Sequence, residues 1–136
     1  MAVSLEEYAA YYLERIENDE NARFSLVEAP AAIVPLLVSA FRDESDPAKR
    51  SAILNIIWQR RDPSTIPILR DGLHDASPCV WKEALDGLVT IDGPESISAV
   101  EAACSRHFDS DVDGRQFREF LAEALDQLQL GFSGET

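Results

Sequence analysis

The stretch DSDVDG, residues 109–114, places three aspartates at alternate positions before a glycine. Short acidic side chains at that spacing can surround a calcium ion with oxygen ligands. A complete loop of this kind also needs a bidentate glutamate at the twelfth position and an apolar residue at the eighth. Those positions hold Phe120 and Gln116, and Glu119 falls one place early. Asp109, Asp111 and Asp113 are the calcium candidates, set against a plainer reading in which Asp111 or Asp113 caps a following helix and Gly114 eases the turn.

The remaining reactive side chains suggest little chemistry. His74 and His107 each follow the last apolar residue of a helix-like stretch, where a positive charge suits the helix C-terminus. Cys79 lies near a helix start in SPCVWKEA, where the dipole could lower a thiol pKa, and Cys104 in SAVEAACSRHF reads as a core residue. No paired His accompanies either thiol. There is no glycine-rich phosphate loop and no His/Cys cluster at metal-ligand spacing. Catalysis and a cofactor are therefore not expected.

The elements that would position these groups belong to one domain, by length and by an apolar content of 46%. The first segment, MAVSLEEYAAYYLERIEND, carries acids where a signal peptide needs a basic start, so a cytoplasmic protein with reduced thiols is expected. The longest uncharged run, Ala29 to Phe41, is broken by Pro30 and Pro35 and is too short to cross a bilayer. The net charge of −13 is uneven: −5 over residues 1–31, +2 over 32–70 and −10 over 71–136. Such a chain repels nucleic acid and anionic membranes and favours basic protein partners.

The chain repeats itself. IVPLLVSAFRDESDPAKRSAILNII, from Ile33, matches TIPILRDGLHDASPCVWKEALDGLV, from Thr65, at an offset of 32. Pro35 meets Pro67, Leu37 meets Leu69, Asp43 meets Asp75, Arg50 meets Lys82, and Ala52 meets Ala84. A third copy is split: SISAVEAAC sits at an offset near 31, whereas AEALDQL reproduces KEALDGL at 40. The insertion between those two pieces contains DSDVDG.

Each copy reads as two amphipathic helices, with apolar residues three and four apart, as in Val80, Ala84, Leu85 and Leu88. Asp62 before Pro63 and Gly93 before Pro94 are helix starts, and Pro35 and Pro67 lie one turn deeper, where each should bend its helix. In the first thirty residues, Ser4 and Glu7 form a capping box, and Leu5, Tyr8, Ala9, Tyr12, Leu13 and Ile16 form one stripe. A shorter helix around Ala22 to Val27 would complete a terminal cap pair whose seven acids keep the outer face polar.

The paired set of Pro35, Asp43, Arg50 and Ala52 with Pro67, Asp75, Lys82 and Ala84 resembles the HEAT-like repeat family, over about residues 30–130. The resemblance implies an all-α fold, a right-handed superhelix of about four antiparallel helix pairs. Its units would be capping helices at 1–29, repeats at 30–62, 63–93 and 94–130, and a flexible tail at 131–136. It also implies that the second helices line a concave surface. Members include adaptors, enzyme chaperones, bilin lyases and some DNA glycosylases, so the resemblance informs fold more than function.

Against the repeat template, Leu54 aligns with Asp86 and Trp58 with Thr90, an apolar pair where the next copy is polar. Leu54 and Trp58 are thus either packed inside or an exposed anchor. Lys49, Arg60 and Arg61 surround them with the one locally basic stretch. Trp81 shares a stripe with Leu85 and Leu88 and reads as core. Glu83, Asp86, Glu119, Glu123 and Asp126 would give the later second helices an acidic face that steers a basic partner.

The leading reading is a non-enzymatic scaffold binding another protein, without nucleic acid or membrane. A sharper form is an immunity protein neutralising a basic nuclease-type toxin. An accessory subunit or enzyme of the bilin lyase type is the reading from another class. Self-association through Leu54 and Trp58 is a third.

Overall fold

The computed structural model describes residues 3–133, and every regular element among them is helical. Eight α-helices follow in order: α1 (Leu5–Leu13), α2 (Glu20–Glu28), α3 (Val34–Asp43), α4 (Pro47–Gln59), α5 (Ile66–Gly72), α6 (Pro78–Ile91), α7 (Pro94–Ala103) and α8 (Asp111–Ser133). They pack as four pairs, and the second helices α2, α4, α6 and α8 lie against one another in sequence order. The result is an all-α solenoid. No single helix among the described residues is long and apolar enough to cross a membrane.

Local chemistry starts each helix. The Ser4 hydroxyl accepts from the Glu7 amide at 3.1 Å and donates to the Glu7 carboxylate. Asp19, Asp46 and Asp62 accept from the amides of Asn21, Lys49 and Ser64 at 2.9, 3.2 and 2.9 Å. Pro47, Pro78 and Pro94 occupy first turns, where the missing amide costs nothing. Gly93 takes φ +96°, a left-handed conformation that glycine tolerates and that turns the chain from α6 into α7.

Several sequence expectations need correction. Pro35 and Pro67 do not bend their helices one turn in. Each is the second residue of an α-helix that follows a 3₁₀ turn, Ala31–Ile33 or Pro63–Thr65, so the ring sits where no amide is required. Gly114 is buried in the first turns of α8, and the cap there is Ser110, whose hydroxyl accepts from the Asp113 amide at 3.3 Å. Cys104 is exposed, one residue past the end of α7. Where a tail was expected from 131, α8 runs on to Ser133; residues 134–136 lie outside the described residues.

The core is continuous from Ala9 to Leu128. Its aromatic centre lies between α6 and α8, where Trp81 meets Phe117 edge-on at 4.9 Å and Phe120 at 5.5 Å. Full burial of such a side chain contributes about 1.5–3 kcal/mol, so these rings help anchor the last pair beside Val100, Leu121 and Leu128.

Three arginines tie the pairs together by capping C-terminal carbonyls of earlier helices. Arg60 donates to Leu26, Val27 and Ala29 at 3.0, 2.7 and 2.8 Å. Arg50 donates to Phe41 and Glu44, both at 2.9 Å, and to the Asp75 carboxylate at 2.6 Å. Arg106 donates to Leu73 at 2.7 Å; burial pushes its guanidinium down, with Asp75 opposing the shift.

Candidate protein-docking face

The anchor proposed from sequence divides on inspection. Leu54 is fully buried and is no surface residue. A Cβ built on Gly72 of α5 would lie 2.9 Å from Ala84 Cβ and 3.0 Å from Leu54 Cδ1, so Leu54 and Ala84 together fill the space that this glycine leaves. Trp58 is half-buried and does the same one turn later: a Cβ on Gly87 of α6 would lie 2.7 Å from Trp58 Cβ and 2.8 Å from Cγ. Two glycines on the neighbouring helices thus accept two large side chains. The apolar pair at template-polar positions is a packing device, and Leu54 offers no surface to a second copy.

The basic stretch also dissolves into structural roles. Arg60 is consumed in capping α2. Lys49 pairs with Glu44 at 3.7 Å. Arg61 alone stays exposed, at φ +54° just past α4. Lys82, the cation within KEALDGL, lies over the rings of Trp81 and Phe120, 5.7 and 4.9 Å from their centroids.

What remains on the second helices is polar and predominantly acidic, with Arg115 and Arg118 as exposed cations in the early turns of α8. Glu83 Oε1 accepts from Trp58 Nε1 at 2.8 Å and from Asn55 Nδ2 at 2.6 Å, and Gln59 donates to Asn55 Oδ1, a network joining α4 to α6. Asp86 stands exposed beside it. Desolvation by the surrounding protein, then the Glu83 charge, holds the Asp86 carboxyl above its ordinary value of 3.8. Glu123 and Asp126 are exposed on α8, as is Glu119. Among the described residues no ion pair reaches Glu83, Asp86, Glu123 or Asp126. These four carboxylates therefore stand without an ion-paired cation.

Sequence reasoning missed a feature at the other end of this face. A cavity of about 590 Å³ opens between the turn after α1, α2 and α4, bordered by Ile16, Glu17, Phe24, Asn55 and Gln59 among others. Phe24 is 61% exposed there. The available signal was its register: it lies two residues from both Ala22 and Leu26, the buried stripe of α2, and so must point away from the core.

The calcium candidates do not converge. Asp111 and Asp113 sit in the first turn of α8, and Asp109 lies 3.9 Å from His107 in an exposed pair. Among the described residues no three His, Cys, Asp or Glu side chains gather at metal-binding distance. His74 is exposed beyond α5, and Cys79 is exposed with its thiol 3.7 Å from the Pro47 carbonyl.

No curated protein matches the chain. The family model for HEAT repeats matches residues 34–116, more than half of the sequence, and spans the helices that carry the arginine caps and the glycine-seated side chains. HEAT repeats commonly serve as protein-interaction scaffolds. With its four stacked helix pairs and this match, the chain belongs to the HEAT-repeat family.

Proposed function

We propose that the chain is a non-catalytic docking module whose second-helix face binds a basic protein. One observation carries the reading: among the described residues Glu83, Asp86, Glu123 and Asp126 form no ion pair, while the nearby cation Lys82 lies over aromatic rings. Uncompensated carboxylates on one face raise the association rate and selectivity for a positively charged surface. They also oppose binding to nucleic acid, whose backbone carries the same sign.

A sharper form of this reading is an immunity protein covering the phosphate-binding surface of a basic nuclease toxin. The acidic face would occupy the groove the toxin uses for its substrate, which would be tested by mixing chain and nuclease and following cleavage.

The test of the general reading is capture of partners from the native lysate, followed by calorimetry of each purified partner at low and high salt. A basic partner is expected, with affinity falling as salt rises. Asp86→Lys with Asp126→Lys, both exposed, should weaken it on the order of tenfold by reversing the local field. Partners that are acidic, or affinities indifferent to salt and to both substitutions, would overturn the proposal.

A further inference from the structure

The cavity beside Phe24 adds a specific element to the acidic face. Its walls are mixed: Phe24 and Val27 supply apolar surface over the buried Ile16, Asn55 and Gln59 supply amides, and Glu17, Asp19 and Glu20 stand along the α1–α2 side. Arg23 also borders the space, where its Nε donates to the Ile16 carbonyl at 2.7 Å and its charge is outnumbered by the three carboxylates. On the opposite side, Asn55 is hydrogen-bonded to Glu83, so the cavity runs directly into the acidic network of α6. The hollow thus has an exposed aromatic wall and carboxylates on both flanks.

We propose that this cavity receives one apolar side chain of a basic partner segment, with flanking lysines or arginines meeting Glu17, Asp19 and Glu20 on one side and Glu83 and Asp86 on the other. The inference rests on the docking reading above and names where the partner is anchored. An aromatic ring 61% exposed inside a hollow offers apolar area that a partner side chain can cover. The flanking charge selects what carries that side chain. A second copy of a chain with net charge −13 brings like charge to the same rim, and nucleic acid does so as well. A cationic segment is the occupant that both features favour.

The probe is a labelled peptide with a single leucine flanked on each side by lysines and arginines, compared with its leucine-to-alanine counterpart and an acidic peptide of equal length. The full chain, labelled with ¹⁵N, is titrated with each. The leucine peptide is expected to bind roughly tenfold more tightly than the alanine peptide, from burial of the extra methylenes. The side-chain amide resonances of Asn55 and Gln59 are expected to shift on binding. Phe24→Ala, at an exposed position, should abolish the leucine preference while leaving the weaker charge-driven binding, and Glu20→Lys should weaken both basic peptides.

The inference is overturned if Phe24→Ala retains the leucine preference, or if the shifts fall instead in the groove between α5 and α7 near Pro67 and Ser98. In either case the docking reading survives if binding still responds to salt and to Asp86→Lys. Should neither basic peptide bind better than the acidic one, the docking reading and the anchor fail together.

Discussion

Trp58 occupies the space that a side chain at Gly87 would need. A Cβ on Gly87 would approach Trp58 Cβ to 2.7 Å, and the indole is fixed there by its hydrogen bond to Glu83 at 2.8 Å. Gly87→Ala gains about 1 kcal/mol of helix propensity. It forces apart α4 and α6 at a contact close to the Trp58 backbone, an overpacking cost of about 1–3 kcal/mol that should prevail. Urea unfolding should show net destabilisation, and a shift in Trp58 emission should accompany it, because the indole loses its seat. A net gain in stability would mean that the helices separate freely at this point.

Arg50 and Asp75 provide a second comparison. Arg50 satisfies the carbonyls of Phe41 and Glu44 and pairs with Asp75, with both side chains largely shielded at 20% and 14% exposure. Asp75 also accepts from the Ser77 amide at the start of α6. Asp75→Ala should cost about 1.5–3 kcal/mol, the range for losing hydrogen bonds to a charged group. The exposed pair Arg42 and Asp71, at 3.8 Å, is the control: Asp71→Ala should cost less than about 0.5 kcal/mol. Equal effects in thermal unfolding would remove the structural distinction between the two pairs.

Asp86 predicts a pH dependence of definite sign. Its carboxyl is held above 3.8 by desolvation and by Glu83, so the folded state binds this proton more tightly than the unfolded chain does. The associated stabilisation is complete below pH 3.8 and is lost as pH rises through the raised folded value. At neutral pH, Asp86→Asn should therefore raise the melting temperature, and the difference from wild type should shrink as pH falls toward 3.8. A variant that is less stable at pH 7 would show that Asp86 makes a favourable contact as an anion.

Asp109, Asp111 and Asp113 provide a further test. With two of them in the first turn of α8 and the third beside His107, the carboxylates are spread along the chain rather than around a point. Calcium at about 10 mM, roughly tenfold above the Kd of even weak sites of about 10⁻³ M, should leave the melting temperature unchanged. A rise that disappears with Asp111→Asn would restore the calcium reading of this stretch.

Much of the architecture is written locally. The 32-residue offset between Ile33 and Thr65, the aspartates before Pro47 and Pro63, and the apolar stripes of α4 and α6 are properties of neighbouring residues. They are legible because helix capping and amphipathic spacing act within one or two turns. The same logic placed Trp81 in the core, where it is 2% exposed.

The acidic face was legible only in its charge. Glu83, Asp86, Glu123 and Asp126 could be assigned to second helices from the repeat, since an acid on a solvent face needs no partner to stay there. Leu54 and Trp58 could not be assigned, because their environment depends on Gly72 and Gly87, which lie 18 and 29 residues further along and meet them only when the helices pack. Arg60 looked like surface charge for the same reason: its carbonyl acceptors in α2 lie more than thirty residues back.

By itself the sequence determined the helices, their pairing into repeats and the sign of the surface field, all of which follow from short-range chemistry and from the excess of acids over bases. Only the tertiary structure decided which large side chains are core, which cations are spent on capping, and that Phe24 borders an open cavity beside Asn55. Those outcomes depend on how closely two helices approach, a distance set by the volumes of residues far apart in the chain.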